Sequence, residues 1–343
     1  MQSDVTLSDI AQKLGVSSVT VSKALAGKKG VSDELREEII NLADELGYVR
    51  REKSHHPKKN TVIGVIVAER YLNHSRSFYW HIYKELSVQS NDKRILTLLE
   101  VINREAEESE SVPNLVAQES VDGLIVLGAF NVGYLRMLRS EAKIPMLSLD
   151  SLYEEIEGDA VITDNILGGY EITRYLFDKG HRKIGFVGTL KVTPSIDERY
   201  IGMCKFLSSA GLDVEFRDNP LVINDRDKYG NLDAEGTFAL PSAKEMPTAF
   251  FCNCDVAALL LIEHLKEKGY KVPEDISVIG FDNYVPDMNK SIELSSYEID
   301  LSVMISKAME LLTQRLRSPN MPFSSAMIRG KLIVGDSVRA VGK

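Results

Sequence analysis

The chain has 343 residues, 44% of them apolar, enough to bury more than one core and to make two or three domains. No stretch reaches the ~20 apolar residues of a membrane span, and the acidic start at Asp4 and Asp9 lacks the basic-then-apolar pattern of a secretion signal, so a cytoplasmic protein with no membrane partner is expected. A net charge of -9 excludes a nucleic-acid footprint spread over the whole surface.

The charge is uneven, however. Residues 1–60 hold ten Lys/Arg and nine Asp/Glu, leaving 31 against 41 beyond them. Positive charge gathers at Arg50, Arg51, Lys53, Lys58 and Lys59, opposed there only by Glu52, which makes a basic neck on an acidic body. The three cysteines, Cys204, Cys252 and Cys254, are an odd number and fit a reducing compartment. Cys252 and Cys254 lack a second ligand pair at zinc spacing and read as strand packing, so no metal is expected.

Residues 6–25, TLSDIAQKLGVSSVTVSKAL, read as two short helices around one glycine. Thr6 and Asp9 form a capping box, and Ile10, Ala11 and Leu14 give an apolar face at helical spacing. Gly15 can take the positive φ that stops the first helix, and Ser17 caps the second. Val21, Ala24 and Leu25 are placed inward, Ser18, Val19, Ser22 and Lys23 outward or sideways. Ser32 caps a third helix whose stripe is Leu35, Ile39, Leu42, Ala43 and Leu46. A generic helical hairpin would also cap with Ser and turn with Gly. The joint placement of small inward residues and a polar outer face favours a helix-turn-helix, whose second helix enters the major groove. Lys23 can donate to guanine or to a phosphate, whereas Thr20 and Ser22 suit phosphate contacts or caps. So small a module needs a partner copy to bind tightly.

From Thr61 onward apolar runs alternate with helix-length segments. TVIGVIV, RILTLLEV, DGLIVLG, IPMLSLD, DAVITD, KIGFVG, PLVI, TAFFCN and ISVIGFD read as strands, and 78–90, 165–180, 199–210 and 255–268 as helices. The alternation means parallel sheets covered by helices on both faces, and the number of strands implies two lobes. Asp150, Asp164, Asn253, Asp255 and Asp282 fall just past strand ends, the edge at which open α/β sheets bind ligands. Taken singly, each aspartate is more often a helix cap than a ligand contact, but several converging on one edge favour a polar, hydroxyl-rich ligand. There is no Walker loop, Gly-x-Ser-x-Gly elbow or dinucleotide fingerprint. His181 reads as structural, and Tyr79 could equally stack on a sugar ring or pack at a helix start.

Over almost its whole length the chain resembles the lactose-repressor (LacI) family of bacterial transcription regulators. The matching stretches are residues 6–25, VSDELREEIINLADELGY, KGHRKIGFVG, ERYIGMCKFL, VPEDISVIGFDN and GKLIVGDSV. The resemblance implies an N-terminal all-α helix-turn-helix headpiece followed by an α/β periplasmic-binding-protein-like core of two doubly wound parallel-sheet lobes joined by three crossings. It implies a headpiece over 1–48, a hinge over 49–61, one lobe from 62–161 with 292–321 and the other from 162–291 with 322–343. A homodimer on operator DNA follows, with base reading on Ser18, Val19 and Lys23 and further DNA contacts from Thr20, Ser22, Arg50, Arg51 and Lys53. Effector contacts fall on Phe78, Tyr79, Asp150, Ser195, Arg199, Asn253, Asp255 and Asp282.

Two departures stand out. The neck RREKSHHPKKN has no leucine to wedge into the minor groove and contains Pro57. Cys254 stands where many members carry an effector-binding asparagine, with Asn253 offset by one and therefore facing the other way along a strand. The expected function is a non-enzymatic, cofactor-free regulator, in the main a repressor, whose operator affinity changes with a small ligand, a sugar first. A nucleobase or a protein corepressor is the alternative within the family, and a carbohydrate-processing enzyme using Asp164 and Asp282 the alternative outside it.

Overall fold

The structure, a computed structural model, describes residues 6–25, 31–46, 61–72, 77–92, 94–153, 155–212, 219–227, 230–232, 238–284 and 292–342. The chain divides into two compact units between residues 59 and 60.

The first unit holds α1 (Leu7–Leu14), α2 (Ser18–Leu25) and α3 (Asp33–Glu45). Its start is closed by the capping box, with Asp9 Oδ2 accepting from the Thr6 backbone N–H at 2.7 Å. Its end is closed by Gly15 at φ 63°, where the Val16 N–H returns to the Ala11 carbonyl at 3.0 Å. Ser17 Oγ accepts from the Thr20 N–H at 3.1 Å, and Ser32 Oγ from Leu35 N–H at 3.4 Å. Ile10, Ala11, Val21, Ala24, Ile39 and Ala43 are buried together, with Leu14, Leu25, Leu35, Leu42 and Leu46 packed against them. Alanines at the helix contacts keep the three axes close, and each buried Val or Ile contributes about 1.5–3 kcal/mol.

The second unit begins with β1 (Thr61–Ala68), α4 (Phe78–Asp92), β2 (Ile95–Ile102), α5 (Arg104–Glu108), α6 (Asn114–Ala117), β3 (Gly123–Leu127), α7 (Val132–Glu141), β4 (Met146–Leu149) and β5 (Asp159–Thr163). It continues with α8 (Asn165–Asp178), β6 (Ile184–Val187), α9 (Pro194–Ser209), β7 (Val222–Ile223), β8 (Ala249–Cys252), α10 (Asp255–Glu267) and β9 (Ser277–Ile279). The last elements are β10 (Ser296–Glu298), α11 (Leu301–Arg317), β11 (Ser325–Ile328) and β12 (Lys331–Ile333). One sheet has the order β11-β5-β4-β3-β1-β2 and another β7-β6-β8-β9, all pairs parallel. β10 and β12 form a two-stranded antiparallel ribbon, and bridges Ile279–Ser295 and Asp282–Glu298 continue it from the second sheet. β1, β3, β6 and β8 are near-continuous Val, Ile, Leu and Phe because helices cover both faces.

The chain crosses between the sheets after β5, after β10 and after β11. This corrects the expected lobe boundaries. Residues 325–328 lie beside β5 in the first sheet, with Ser325 opposite Ala160, whereas the resemblance places 322–343 in the other lobe. Residues 296–298 lie with the second sheet, whereas the resemblance places 292–321 in the first lobe. Both errors have one cause: β10, β11 and β12 are only three or four residues long and carry little periodicity.

Candidate functional site

Ser18, Val19 and Lys23 all lie exposed on α2, while Val21 and Ala24 are buried beneath. Val19 is 61% exposed, an apolar side chain the head's core does not use. Thr20 is half-buried and its hydroxyl sits 2.8 Å from Ser17 Oγ, so it belongs to the cap. The side chain of Ser22 lies outside the described residues, as do Arg50, Arg51, Lys53 and the neck up to residue 60.

In the second unit the strand order reverses direction at β1–β3 in one sheet and at β6–β8 in the other, the switch points at which such sheets hold ligands. Their C-terminal ends place the expected residues as follows. Tyr79, in the first turn of α4, donates its hydroxyl to Asp150 Oδ2 at 3.0 Å, just past β4. Its ring lies 4.5 Å from that of Tyr71 and 5.9 Å from that of Phe78. Gly128, past β3 at φ 78°, leaves room for this ring, since a Cβ there would lie 2.8 Å from Tyr79. Asp150, only 6% exposed, has φ 65°, and its Oδ1 has no hydrogen-bond partner. Burial pushes this carboxyl up to about 7, with Arg199 opposing and Asp282 reinforcing the rise.

From the second sheet, Arg199 on α9 donates Nε–H to Asn165 Oδ1 at 2.9 Å, Nη1–H to the Asn253 carbonyl and Nη2–H to Asp282 Oδ1 at 3.3 Å, and its guanidinium lies 3.7 Å over the Phe281 ring. Three of its five donors are thus held by protein, leaving two for a ligand. Asp282, past β9 at φ 97°, is pushed above the usual carboxylate range by burial, against the pull of Arg199. Ser195, half-buried near the start of α9, has its Oγ 3.1 Å from Thr193 Oγ1.

Two expected contact residues are instead committed to the protein. Asn253 is 1% exposed, and its amide donates to the Val187 carbonyl at 3.0 Å and to Asp225 Oδ2 at 2.6 Å. Asp255 is 1% exposed, accepting from Ser296 Oγ and from the Tyr284 N–H, both at 2.7 Å, so it braces the 282–284 loop. Asp164 caps α8 through the Leu167 N–H at 3.1 Å and lies 3.7 Å from Arg329. His181 is structural: its Nε2–H points to the Arg339 carbonyl at 3.1 Å, leaving Nδ1 to accept from Thr248 at 2.9 Å.

Sequence reasoning passed over Arg226 and Asp225, an ion pair at 3.4 Å just past β7, with Arg226 Nη2 donating to Asn253 Oδ1 at 3.4 Å and to Cys254 Sγ at 3.7 Å. The signal is present in the sequence, since NDRD follows PLVI, a stretch that reads as a strand, and so lies at the edge where such sheets bind ligands. Tyr71 and Asn165 were passed over as well. A cleft of about 320 Å³ adjoins Asp282, lined by Phe78, His81, Asn283, Tyr284, Glu298 and Asp300 among others.

A helix-turn-helix unit followed by two parallel sheets whose switch points carry polar and aromatic groups defines a DNA-binding regulator with a ligand-binding core. Residues 6–51 match the bacterial regulatory proteins of the lacI family, and residues 173–338 match the periplasmic binding protein-like domain. The chain thus joins a lacI-family helix-turn-helix domain to a periplasmic-binding-protein-like domain. It is 26% identical over 342 residues to the HTH-type transcriptional repressor CytR of Escherichia coli strain K12, covering 98% of this chain and 97% of that one. Among solved structures it resembles a complex of the transcriptional regulator CelR with cellobiose (TM-score 0.68, 23% identity, covering 97% of this chain and 99% of that one). It also resembles the lac repressor dimer bound to operator and the anti-inducer ONPF (TM-score 0.66, 21% identity, 98% and 100%).

Proposed function

We propose that the chain is a sequence-specific DNA-binding repressor that acts as a cytoplasmic homodimer and whose operator affinity changes when a sugar occupies the cleft between the two sheets. The observation that carries the ligand half is the approach of the two sheets' ends, where the Phe78 ring lies 5.9 Å from that of Tyr284 and Arg199 and Asp282 act electrostatically on the buried Asp150. Phe78, Tyr79, Asp150, Ser195, Arg199 and Asp282 would meet the ligand, the guanidinium through its two remaining donors and the carboxylates as acceptors for hydroxyls. Asn253 and Asp255 act through their neighbours, holding Arg226 and the 282–284 loop in place. The cellobiose bound in the CelR complex supports a sugar as the class of ligand.

For DNA, Ser18, Val19 and Lys23 would reach base edges, while Thr20, Ser22, Arg50, Arg51 and Lys53 would hold the backbone. One module of this size covers only about 600–1,000 Å², which supports a paired assembly reading half-sites about 34–36 Å apart. A ligand alters that pairing only by binding the two lobe arrangements with different affinity. The test is a selection from a random duplex pool with the purified chain, followed by a thermal-shift screen of mono- and disaccharides and titration of the selected duplex with each hit. A recurrent two-fold sequence and a sugar that changes its affinity are expected. A monomer that selects no sequence, or sugars that stabilise the protein without altering DNA affinity, would refute the proposal.

A further inference from the structure

The ends of the two sheets touch through side chains of their own. Tyr284, in the loop past β9, lies against two residues of α4, the helix that follows β1 of the first sheet. Its ring is 5.9 Å from that of Phe78, edge-on, and 5.4 Å from that of His81, stacked. The loop that carries Tyr284 is tightly held. Asp282 and Asn283 both have positive φ, 97° and 47°, a region that side chains enter at a cost. Against that cost, the Tyr284 N–H donates to Asp255 at 2.7 Å, the Asn283 N–H to Ser296 Oγ at 3.0 Å and the Asn283 amide to Glu298 at 2.8 Å, while Asp282 accepts from Arg199 at 3.3 Å. The cleft of about 320 Å³ is lined by the Phe78, His81 and Tyr284 rings and by Asp282, whereas Tyr79, Asp150 and Arg199 do not line it. Arg199 is 5% exposed. A molecule in the cleft therefore meets the rings first and reaches the guanidinium only when they part.

We propose that Phe78, His81 and Tyr284 form a latch between the two sheets, closed by the protein's own side chains, and that Arg199 becomes accessible only in the fraction of molecules in which the latch is open. The proposal goes beyond the effector reading and needs it only to say what the latch admits. Contacts between rings are individually weak, so the latch opens and closes without unfolding either lobe. Apparent affinity for anything that must reach Arg199 is lowered by the open fraction, which makes the latch a setting of sensitivity.

Cys254 reports on the latch. Its Sγ lies 3.7 Å from Arg226 Nη2, a guanidinium on which Tyr71 and Tyr79 of the first sheet act electrostatically, and burial pushes the thiol up to about 11. The test follows alkylation of Cys254 by iodoacetamide in the full chain, resolved by peptide mass spectrometry from the buried Cys204 and Cys252. Tyr284→Ala and His81→Ala should each speed it roughly 5-fold or more, the scale of a lost ring contact, while Tyr284→Phe, which keeps the ring, should match wild type. Unchanged rates in both alanine variants overturn the latch, as does an acceleration of Cys204 and Cys252 equal to that of Cys254, which marks a loosened fold. His81 is exposed, so its variant decides the matter even if Tyr284→Ala folds poorly. No sugar enters the assay: a failed sugar screen would sink the effector reading and leave the latch standing, and unchanged rates would do the reverse.

Discussion

The Tyr79 hydroxyl donates to Asp150 Oδ2 across 3.0 Å, tying the first turn of α4 to the end of β4. The bond fixes one carboxylate oxygen and leaves the other, Oδ1, facing no partner. Burial raises this carboxyl from the usual 3.8 to about 7. Between about pH 4 and pH 7 the folded protein therefore holds a proton that the unfolded chain has released, so the contribution of Asp150 to stability falls as pH rises through that window.

Asp150→Asn keeps the shape and an acceptor for Tyr79 while removing the charge. Relative to wild type it should gain stability with rising pH, with little difference near pH 4.5 and a plateau above pH 7.5 of at most about 4 kcal/mol, the equivalent of the full shift. Chemical denaturation across that range measures it. A variant offset by the same amount at every pH would show that Asp150 does not titrate in the window.

Arg199 connects three elements at once, through Asn165, the Asn253 carbonyl and Asp282. Arg199→Ala strands a buried carboxylate and should cost about 3–5 kcal/mol. Arg199→Lys keeps the charge but cannot reproduce the fork, and should weaken ligand binding about 10-fold or more. The residues proposed to read DNA belong to a separate compact unit, so either variant should still bind the selected duplex without ligand. Binding curves with and without sugar check this, and an undiminished ligand response in Arg199→Lys would remove the guanidinium from the site.

The head was legible almost residue by residue. Thr6, Gly15, Ser17 and Ser32 act at helix ends, and their side-chain or φ requirements are local properties that sequence displays directly. The strands of both sheets were legible where burial on two faces made them continuous apolar runs, as in TVIGVIVA. β10 to β12 were not, because such short strands owe their place to partners far along the chain. The same distinction divides the site. Asp150, Arg199 and Asp282 stood out at strand and helix ends, whereas Asn253 and Asp255 drew the same expectation although their side chains turn into the protein, a direction set by neighbours such as Ser296 that no local pattern encodes.

α8 and α9 meet through two glycines. A Cβ at Gly202 would lie 2.1 Å from the Ile166 carbonyl oxygen, and one at Gly169 would lie 2.1 Å from that of Arg199. Both obstacles are helix backbone, which cannot rotate away. Gly202→Ala and Gly169→Ala should each destabilise the core by about 1–3 kcal/mol, the scale of overpacking. Gly169→Ala should also weaken ligand binding, because it displaces the backbone of Arg199 itself. Gly158→Ala, with nothing within 4 Å, is the matched control. Melting temperatures and sugar titrations read the effect. A Gly169→Ala protein as stable as the control would mean that the helices slide apart at little cost.

On α2, Lys23 stands exposed beside Ser18 and Val19, over a face whose other side is the buried Val21 and Ala24. Donation to a guanine edge and donation to a phosphate leave different signatures. A base contact should make Lys23→Ala lower affinity for the selected duplex by about 1–3 kcal/mol while barely affecting random DNA. A phosphate contact should lower both equally and reduce the salt slope by about one. The short side chains of Ser18 and Val19 let the helix backbone come close to the groove floor, which brings a lysine on the same face within reach of base edges. The expected outcome is therefore the first. Anisotropy titrations of Lys23→Ala on both duplexes at several salt concentrations distinguish the two, and equal losses on both would confine Lys23 to the backbone and leave specificity to Ser18 and Val19.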